Sequence, residues 1–300
     1  MMKPRPGGLT RQRAREGLLS VLPVIVILLL IQGYPLFVTI TKSFTNWDAM
    51  SQNDWVGLSN YIYWLRSRDF GRLLLNNVIL LVNIPLQVLL GLFVAVLFFE
   101  EVAGWRTFRA LFYLPQIVAE VIMGYLFRIL FSFNGPVNTI LRAIHLDRVA
   151  IEWLGNGFTG LMVIIICLVW INIGWQAILL LAGMSSISLE VFDSARLDGA
   201  NFWHRTFRIV FPMIIPIIEY SLVISLIWTL SGIFPFIYSI TRGGPGFETT
   251  TLDYMVYLQA FQIGNRLGSA SSLAVILLII ILVLTRVQMI VTERADRWRA

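Results

Sequence analysis

Six stretches of the chain, about 18–40, 73–99, 108–131, 159–183, 213–240 and 268–291, are mostly apolar, and charges gather in the segments between and beyond them. Each has about the 20 residues a helix needs to cross a bilayer. Backbone groups in lipid must be satisfied within their own segment, so runs of this length are helices. The pattern predicts an all-α integral membrane protein with a six-helix transmembrane domain over 18–291. A basic tail, 1–17, precedes it, a short tail, 292–300, follows, and a polar loop, 184–212, separates helices four and five. The first run is too long for a signal-peptide core and lacks a small-x-small cleavage site soon after it, so it reads as an uncleaved first helix. Prolines fall inside several runs: Pro23, Pro35, Pro85, Pro115, Pro216 and Pro235. Each removes a backbone hydrogen bond and kinks its helix, which serves packing or opens a cavity.

Composition narrows the function. Hydrophobic residues make up 57% and charged residues 13%, against about 25% charged in soluble domains. The single cysteine, Cys167, and two histidines, His145 and His204, leave no internal disulfide and no cysteine- or histidine-built metal site. The only lysines are Lys3 and Lys42. Lys42 follows Thr41 and Lys3 stands too near the start, so no nucleotide-binding P-loop exists and no cofactor is expected in this chain.

The net charge of +6 points to membrane topology rather than to nucleic acid. An even number of helices places both termini on one side. Fourteen basic residues lie there: Lys3, Arg5, Arg11, Arg13, Arg15, Arg106, Arg109, Arg196, Arg205, Arg208, Arg286, Arg294, Arg297 and Arg299. Eight lie opposite: Lys42, Arg66, Arg68, Arg72, Arg142, Arg148, Arg242 and Arg266. Positive charge favours the cytosolic side, so both termini and the loop Ser188–Pro212 are expected in the cytosol.

That loop, SLEVFDSARLDGANFWHRTFRIVFP, is unusually patterned. Ser188 can cap a helix with Glu190 in its first turn. Gly199 suits the left-handed stop that ends helices. Asn201 can cap a second helix, about Phe202 to Phe211, ending at Pro212. Asp193 and Asp198 are expected as exposed acids, with Phe192 and Leu197 as apolar knobs. Such a helix either fits a groove on a soluble partner or lies on the membrane surface.

Here the sequence resembles a known family. Asp193-Ser194-Ala195, then Asp198-Gly199-Ala200, then Phe211-Pro212 are similar to the EAA loop of permeases in binding-protein-dependent ABC importers, with Asp for Glu, Ser for Ala and Phe for Leu. Thr241-Arg242-Gly243-Gly244-Pro245 with Thr249-Thr250-Thr251 resembles an outer-loop motif of the carbohydrate-uptake branch, the MalF-like and glycerol-phosphate-type permeases. Tyr34-Pro35, Ser43-Phe44-Thr45-Asn46-Trp47, Val56-Gly57-Leu58-Ser59-Asn60-Tyr61 and Phe108-Arg109-Ala110-Leu111-Phe112-Tyr113-Leu114-Pro115 follow the same order as in that family. The resemblance implies a multi-pass permease subunit of the bacterial cytoplasmic membrane. It implies a second, homologous permease (a heterodimer), an ATPase dimer that binds ATP and Mg, and an extracytoplasmic solute-binding protein. It assigns ATPase docking to Glu190, Phe192, Asp193, Ala195, Leu197, Asp198, Gly199 and Ala200.

Polar residues within membrane helices face protein or a water-filled path. Asn172, Trp175 and Gln176 share one face of the fourth helix, and Tyr220, Trp228 and Ser231 one face of the fifth. Asn83 and Gln87, and Gln116 and Glu120, pair at i+4. Together they offer the hydroxyl partners and flat rings a sugar needs, and Asn and Gln equally bond helix to helix. Glu120, Arg128 and Glu219 make no proton relay; ion pairing or exposure at a helix end accounts for each. A self-contained six-helix transporter or channel would show inverted repeats, and none is evident. A membrane-embedded enzyme would need a cluster of His, Asp or Cys. An ABC permease for a non-sugar solute stays open, with the Gly243-Gly244-Pro245 segment favouring sugar.

Overall fold

The computed structural model describes residues 9–51 and 53–297, and within them regular structure is helical apart from one isolated antiparallel bridge, Thr45 to Trp55. Helix α1 comprises Leu9–Leu28, a π-helical turn Leu29–Gly33 and Tyr34–Lys42. Pro35 explains the turn. It has no N–H to offer Ile31 and its ring crowds that carbonyl, and the wider π turn just before it absorbs the mismatch. After α2, Ser59–Arg66, helix α3 runs Arg68–Leu80 and Asn83–Phe99 with a jog between. Pro85 causes the jog in the same way, since its missing partner would be Leu81.

The expected single helix over 108–131 is corrected. It is two helices, α4, Trp105–Ile117, and α5, Glu120–Leu130, bent by 99°. Val118 and Ala119 are extended, with ψ of 138° and 132°, just after Pro115 has removed the hydrogen bond to Leu111. Helix α6, Pro136–Ala143, leads to the long α7, Gly157–Ser185. Then come α8, Leu189–Leu197; α9, with parts Phe202–Arg205, Thr206–Val210 and Phe211–Met213; and α10, Ile215–Ser231. The expected fifth helix, 213–240, also divides. It ends at Gly232, and α11, Phe234–Ile240, restarts with Pro235 in its first turn, where a missing N–H costs nothing. Helices α12, Leu252–Tyr257, and α13, Leu267–Arg297, complete the chain as described. Among the described residues four helices are long and apolar enough to cross a membrane, or up to six when each bent pair counts as one.

Helix α7 is the most buried crossing and α1 the least, none of its apolar stretch being covered by this chain. Around α7, Ile164, Cys167 and Leu168 pack with Phe236 and Ile237 of α11 and Phe127 of α5. Helix α4 approaches so closely that a side-chain carbon at Gly174 would lie 2.0 Å from the Phe112 carbonyl oxygen. Only glycine allows that contact. Two ends of the bundle are defined by cross-links. At one, Arg205 of α9 pairs with Glu100 after α3 at 2.9 Å. At the other, Gly268 N–H donates to Trp47 at 2.8 Å, Asn76 Nδ2 to Thr250 at 2.8 Å, and Gly157 N–H to Glu248 at 2.8 Å.

Candidate functional site

The segment between α7 and α10 folds as helix, left-handed stop and helix. Val191 N–H donates to the Ser188 carbonyl at the start of α8. At its end Ala200 N–H reaches back to the Ala195 carbonyl at 2.9 Å, and Gly199 has φ +74°. This is the Schellman closure, whose left-handed residue is usually glycine. Open space surrounds Gly199, so backbone conformation, not room, demands it. Asn201 Oδ1 accepts from His204 N–H at 2.8 Å and caps α9. The expected stop at Pro212 is corrected. Helix α9 runs through it to Met213, because the π turn Thr206–Val210 makes room for the proline ring, and the break falls at Ile214 with a 63° bend.

The faces of α8 divide differently from the expected docking set. Glu190, Asp193 and Leu197 share one face and are exposed, Leu197 at 89%, with Asp198 and Gly199 exposed beside them and Ala200 half-buried. Phe192 and Ala195 lie opposite and are buried, at 8% and 5% exposure. The Phe192 ring is 5.3 Å from Phe99 and belongs to a cluster with Phe98, Leu180, Met184, Val210 and Ile214. Phe192 is thus a key into the bundle rather than a knob for a partner. One turn of side-chain direction decides this. Spacing of i+3 separates the two faces, but only packing says which turns in.

Near mid-depth, Gln87, Gln116, Asn172, Trp175, Ile224, Ser225 and Trp228 line one half-open cavity of about 120 Å³. Gln87 is buried with its Oε1 unpartnered. Asn172 donates to the Leu168 carbonyl at 2.7 Å, which leaves its Oδ1 for another donor. Trp228 stands edge-on to Phe236, centroids 5.9 Å apart. The other expected path residues lie elsewhere. Asn83 is buried and donates to the Leu80 carbonyl and to Thr229 Oγ1. Gln176 is buried behind Ser225, to which it donates at 3.0 Å. Both tie helices together. Glu120 is half-buried off the cavity, and Tyr220 and Ser231 are exposed, with Ser231 donating to the Ile227 carbonyl. Ser225 was not among the expected residues. Ser221, Ser225 and Thr229 recur every fourth position and are all buried, a stripe visible in the sequence.

The outer-loop motif is a folded knot. Gly243, at φ +78°, packs where a side chain would strike Thr250 Oγ1. Thr249 donates to Thr241 Oγ1 and to the Gly244 carbonyl, and Thr250 to the Gly243 carbonyl, with Pro245 at the bend. Thr249, Thr250 and Thr251 are fully buried, and Asn77 Oδ1 accepts from Leu252 N–H. In the same segment burial pushes the Asp253 carboxyl up to about 6, against hydrogen bonds from Thr251 and from the Tyr254 N–H.

Residues 56–297 match the family model described as binding-protein-dependent transport system inner membrane component. The probable ABC transporter permease protein YurN of Bacillus subtilis (strain 168) is 32% identical, over 90% of this chain and 94% of its own. The trehalose/maltose transport system permease protein MalF of Thermococcus litoralis is 28% identical, over 90% and 91%. Among solved structures, a chain of a bacterial ABC transporter involved in the import of the acidic polysaccharide alginate superposes with a TM-score of 0.78. It is 26% identical and covers 95% of this chain and 98% of its own.

Proposed function

From this chain's membership of the family of binding-protein-dependent transport system inner membrane components, we propose that it is the membrane-spanning subunit of an ATP-driven importer for a sugar or related polyol. The observation that carries the reading is α8. It presents two acids and a bare leucine outward and is locked to the bundle by Phe192 and Ala195 on its other side. Such an element receives force from a soluble partner and passes it inward. The sugar branch is supported by the Gly243-Gly244-Pro245 knot and by relatives named for sugar transport.

The partners in this reading are a second, similar permease, an ATPase dimer holding ATP and Mg, and an extracytoplasmic solute-binding protein. Closure of the ATPase dimer displaces α8. Through Phe192 the displacement reaches Phe99 at the end of α3, Met184 at the end of α7, and Val210 and Ile214. The bend at Ile214 is the natural pivot, since α9 and α10 already meet there at 63°. Substrate released from the binding protein would meet the amides of Gln87, Gln116 and Asn172 and the rings of Trp175 and Trp228. Amides bond sugar hydroxyls and indole faces stack on the apolar face of a sugar ring.

Proteoliposomes holding the complex purified through this chain, with its binding protein outside, test the reading. They are expected to accumulate at least one of maltose, trehalose or lactose only with ATP inside. Uptake of an amino acid instead would overturn the sugar assignment.

Orientation is proposed from the basic-residue bias, with α8 and both termini cytosolic. Cysteine at Ser194, exposed on α8, is expected to resist an impermeant thiol reagent in intact cells, and cysteine at Met50, 85% exposed at the opposite end, to react. Thr250, in the outer-loop motif, is fully buried and would not report orientation. Labelling at 194 from outside would reverse the topology and remove the docking role.

A further inference from the structure

Beside the buried face of α8 lies a second, apolar feature. A groove of about 420 Å³ runs between α3 and α9, walled by Leu89, Phe93 and Val96 on one side and Trp203, Phe207 and Phe211 on the other. Leu89, Phe93, Trp203 and Phe207 are each more than half exposed, although they stand together. Trp203 and Phe207 are stacked, centroids 5.8 Å apart. The flank of α9 about 100° round from these rings is basic. His204 and Arg208 sit one turn apart, with Arg208 Nη1 3.5 Å from His204 Nε2. Arg205 is already paired with Glu100 and holds α9 against the end of α3.

We propose that this groove holds an acyl chain of an anionic phospholipid whose headgroup is bound by Arg208 and His204. The proposal rests on α9 lying at the membrane surface and is independent of the sugar assignment. Two observations select a lipid over a soluble partner. One wall is the apolar face of a membrane-crossing helix, which a soluble protein does not reach. Helix α9 carries aromatic residues on one face and basic residues on its flank, the arrangement of a helix lying in the headgroup plane. Charge complementarity selects an anionic headgroup. The occupant has a mechanical consequence. Met184, Val210 and Ile214 line the groove and also pack in the cluster that grips Phe192. A chain seated there braces α9 at the point where α8 delivers its movement.

The test uses the complex purified through this chain, in nanodiscs. The probes are phosphatidylglycerol and phosphatidylcholine of identical acyl chains, each with a diazirine near the chain end, and cross-linked peptides are mapped by mass spectrometry. Peptides covering 89–97 and 203–214 are expected to be labelled above other membrane helices. Phosphatidylglycerol should exceed phosphatidylcholine by about fivefold, the factor one basic residue supplies at an anionic surface. Arg208→Glu should abolish the headgroup preference and keep acyl labelling, whereas Leu89→Trp, which fills the groove, should lower labelling by both lipids. Uniform labelling of all lipid-facing helices would overturn the proposal, as would equal labelling by the two lipids. So would groove peptides that stay unlabelled and cross-link instead to the second permease. The cysteine test at positions 194 and 50 reports orientation separately, so failure of that reading and failure of this one are distinguishable.

Discussion

Gly199→Val is expected to uncouple transport while leaving the permease inserted and folded. The residue closes α8 at φ +74°, a region that costs an ordinary residue roughly 1–2 kcal/mol and a β-branched one more. Nothing lies within 4 Å of a Cβ placed there, so the effect is conformational and local to the turn. The chain relieves it by unwinding the last turn of α8 or by swinging α9, and both move Asp193, Leu197 and Asp198 out of register with a partner. A cost of this size shifts the correctly formed population by a factor of roughly 5–30. The expected result is normal membrane yield, weakened co-purification of the ATPase and uptake reduced by about that factor. Gly199→Asn, which tolerates the left-handed region better, should recover much of both. Unchanged uptake in Gly199→Val would show that the bend is dispensable.

Trp228→Ala is expected to cut sugar uptake severely without loss of assembly. Trp228 lines the polar cavity with Gln87, Gln116, Asn172, Trp175 and Ser225 and is half-buried. Its ring stands edge-on to Phe236 and close over Gly232, packed on one side against the α7 cluster, and its other side lines the cavity. If it served packing alone, its removal would cost on the order of the 3–5 kcal/mol seen for large aromatics in closed interiors and would lower complex yield. If it serves as a stacking surface for substrate, yield and basal ATP hydrolysis hold while uptake per complex falls. Measuring both on one preparation separates the cases. Trp228→Phe, which keeps a flat ring, should retain part of the uptake. Reduced yield with unchanged uptake per complex would return Trp228 to the bundle core.

The readings that held share one property: they depend on neighbours in the chain. Apolar runs long enough to cross a membrane, the stop at Gly199 and the Asn201 cap all follow from local composition and backbone chemistry. A left-handed glycine between two helical stretches has the same meaning wherever the chain goes. Proline effects were legible only in part. Pro35, Pro85, Pro115 and Pro235 each announce a disturbance, but whether it becomes a π turn, a jog or a 99° break depends on what fills the gap. Beyond the break that follows Pro115, α11 packs on α5, with Ser239 close on Gly124.

Direction was decided by tertiary structure. Phe192 and Leu197 look alike in sequence, as two large apolar residues on a short charged helix. Phe99 claims the first, and the second is left exposed among the described residues. Asn83 and Gln87 likewise share a face of α3, yet Thr229 takes Asn83 as a helix-to-helix bond while Gln87 opens on the cavity. A helix turns 100° per residue, and small differences in crossing angle decide which members of a polar stripe meet a partner helix and which meet space. The sequence by itself determined the class of protein, its long apolar helices and the helix, stop and helix form of the segment 188–212, because these are set by backbone chemistry and by the length of apolar runs. Which polar side chains gather at one cavity, and which face of α8 is left exposed, are settled by packing between segments as much as 140 residues apart, from Gln87 to Trp228, a relation that no local pattern encodes.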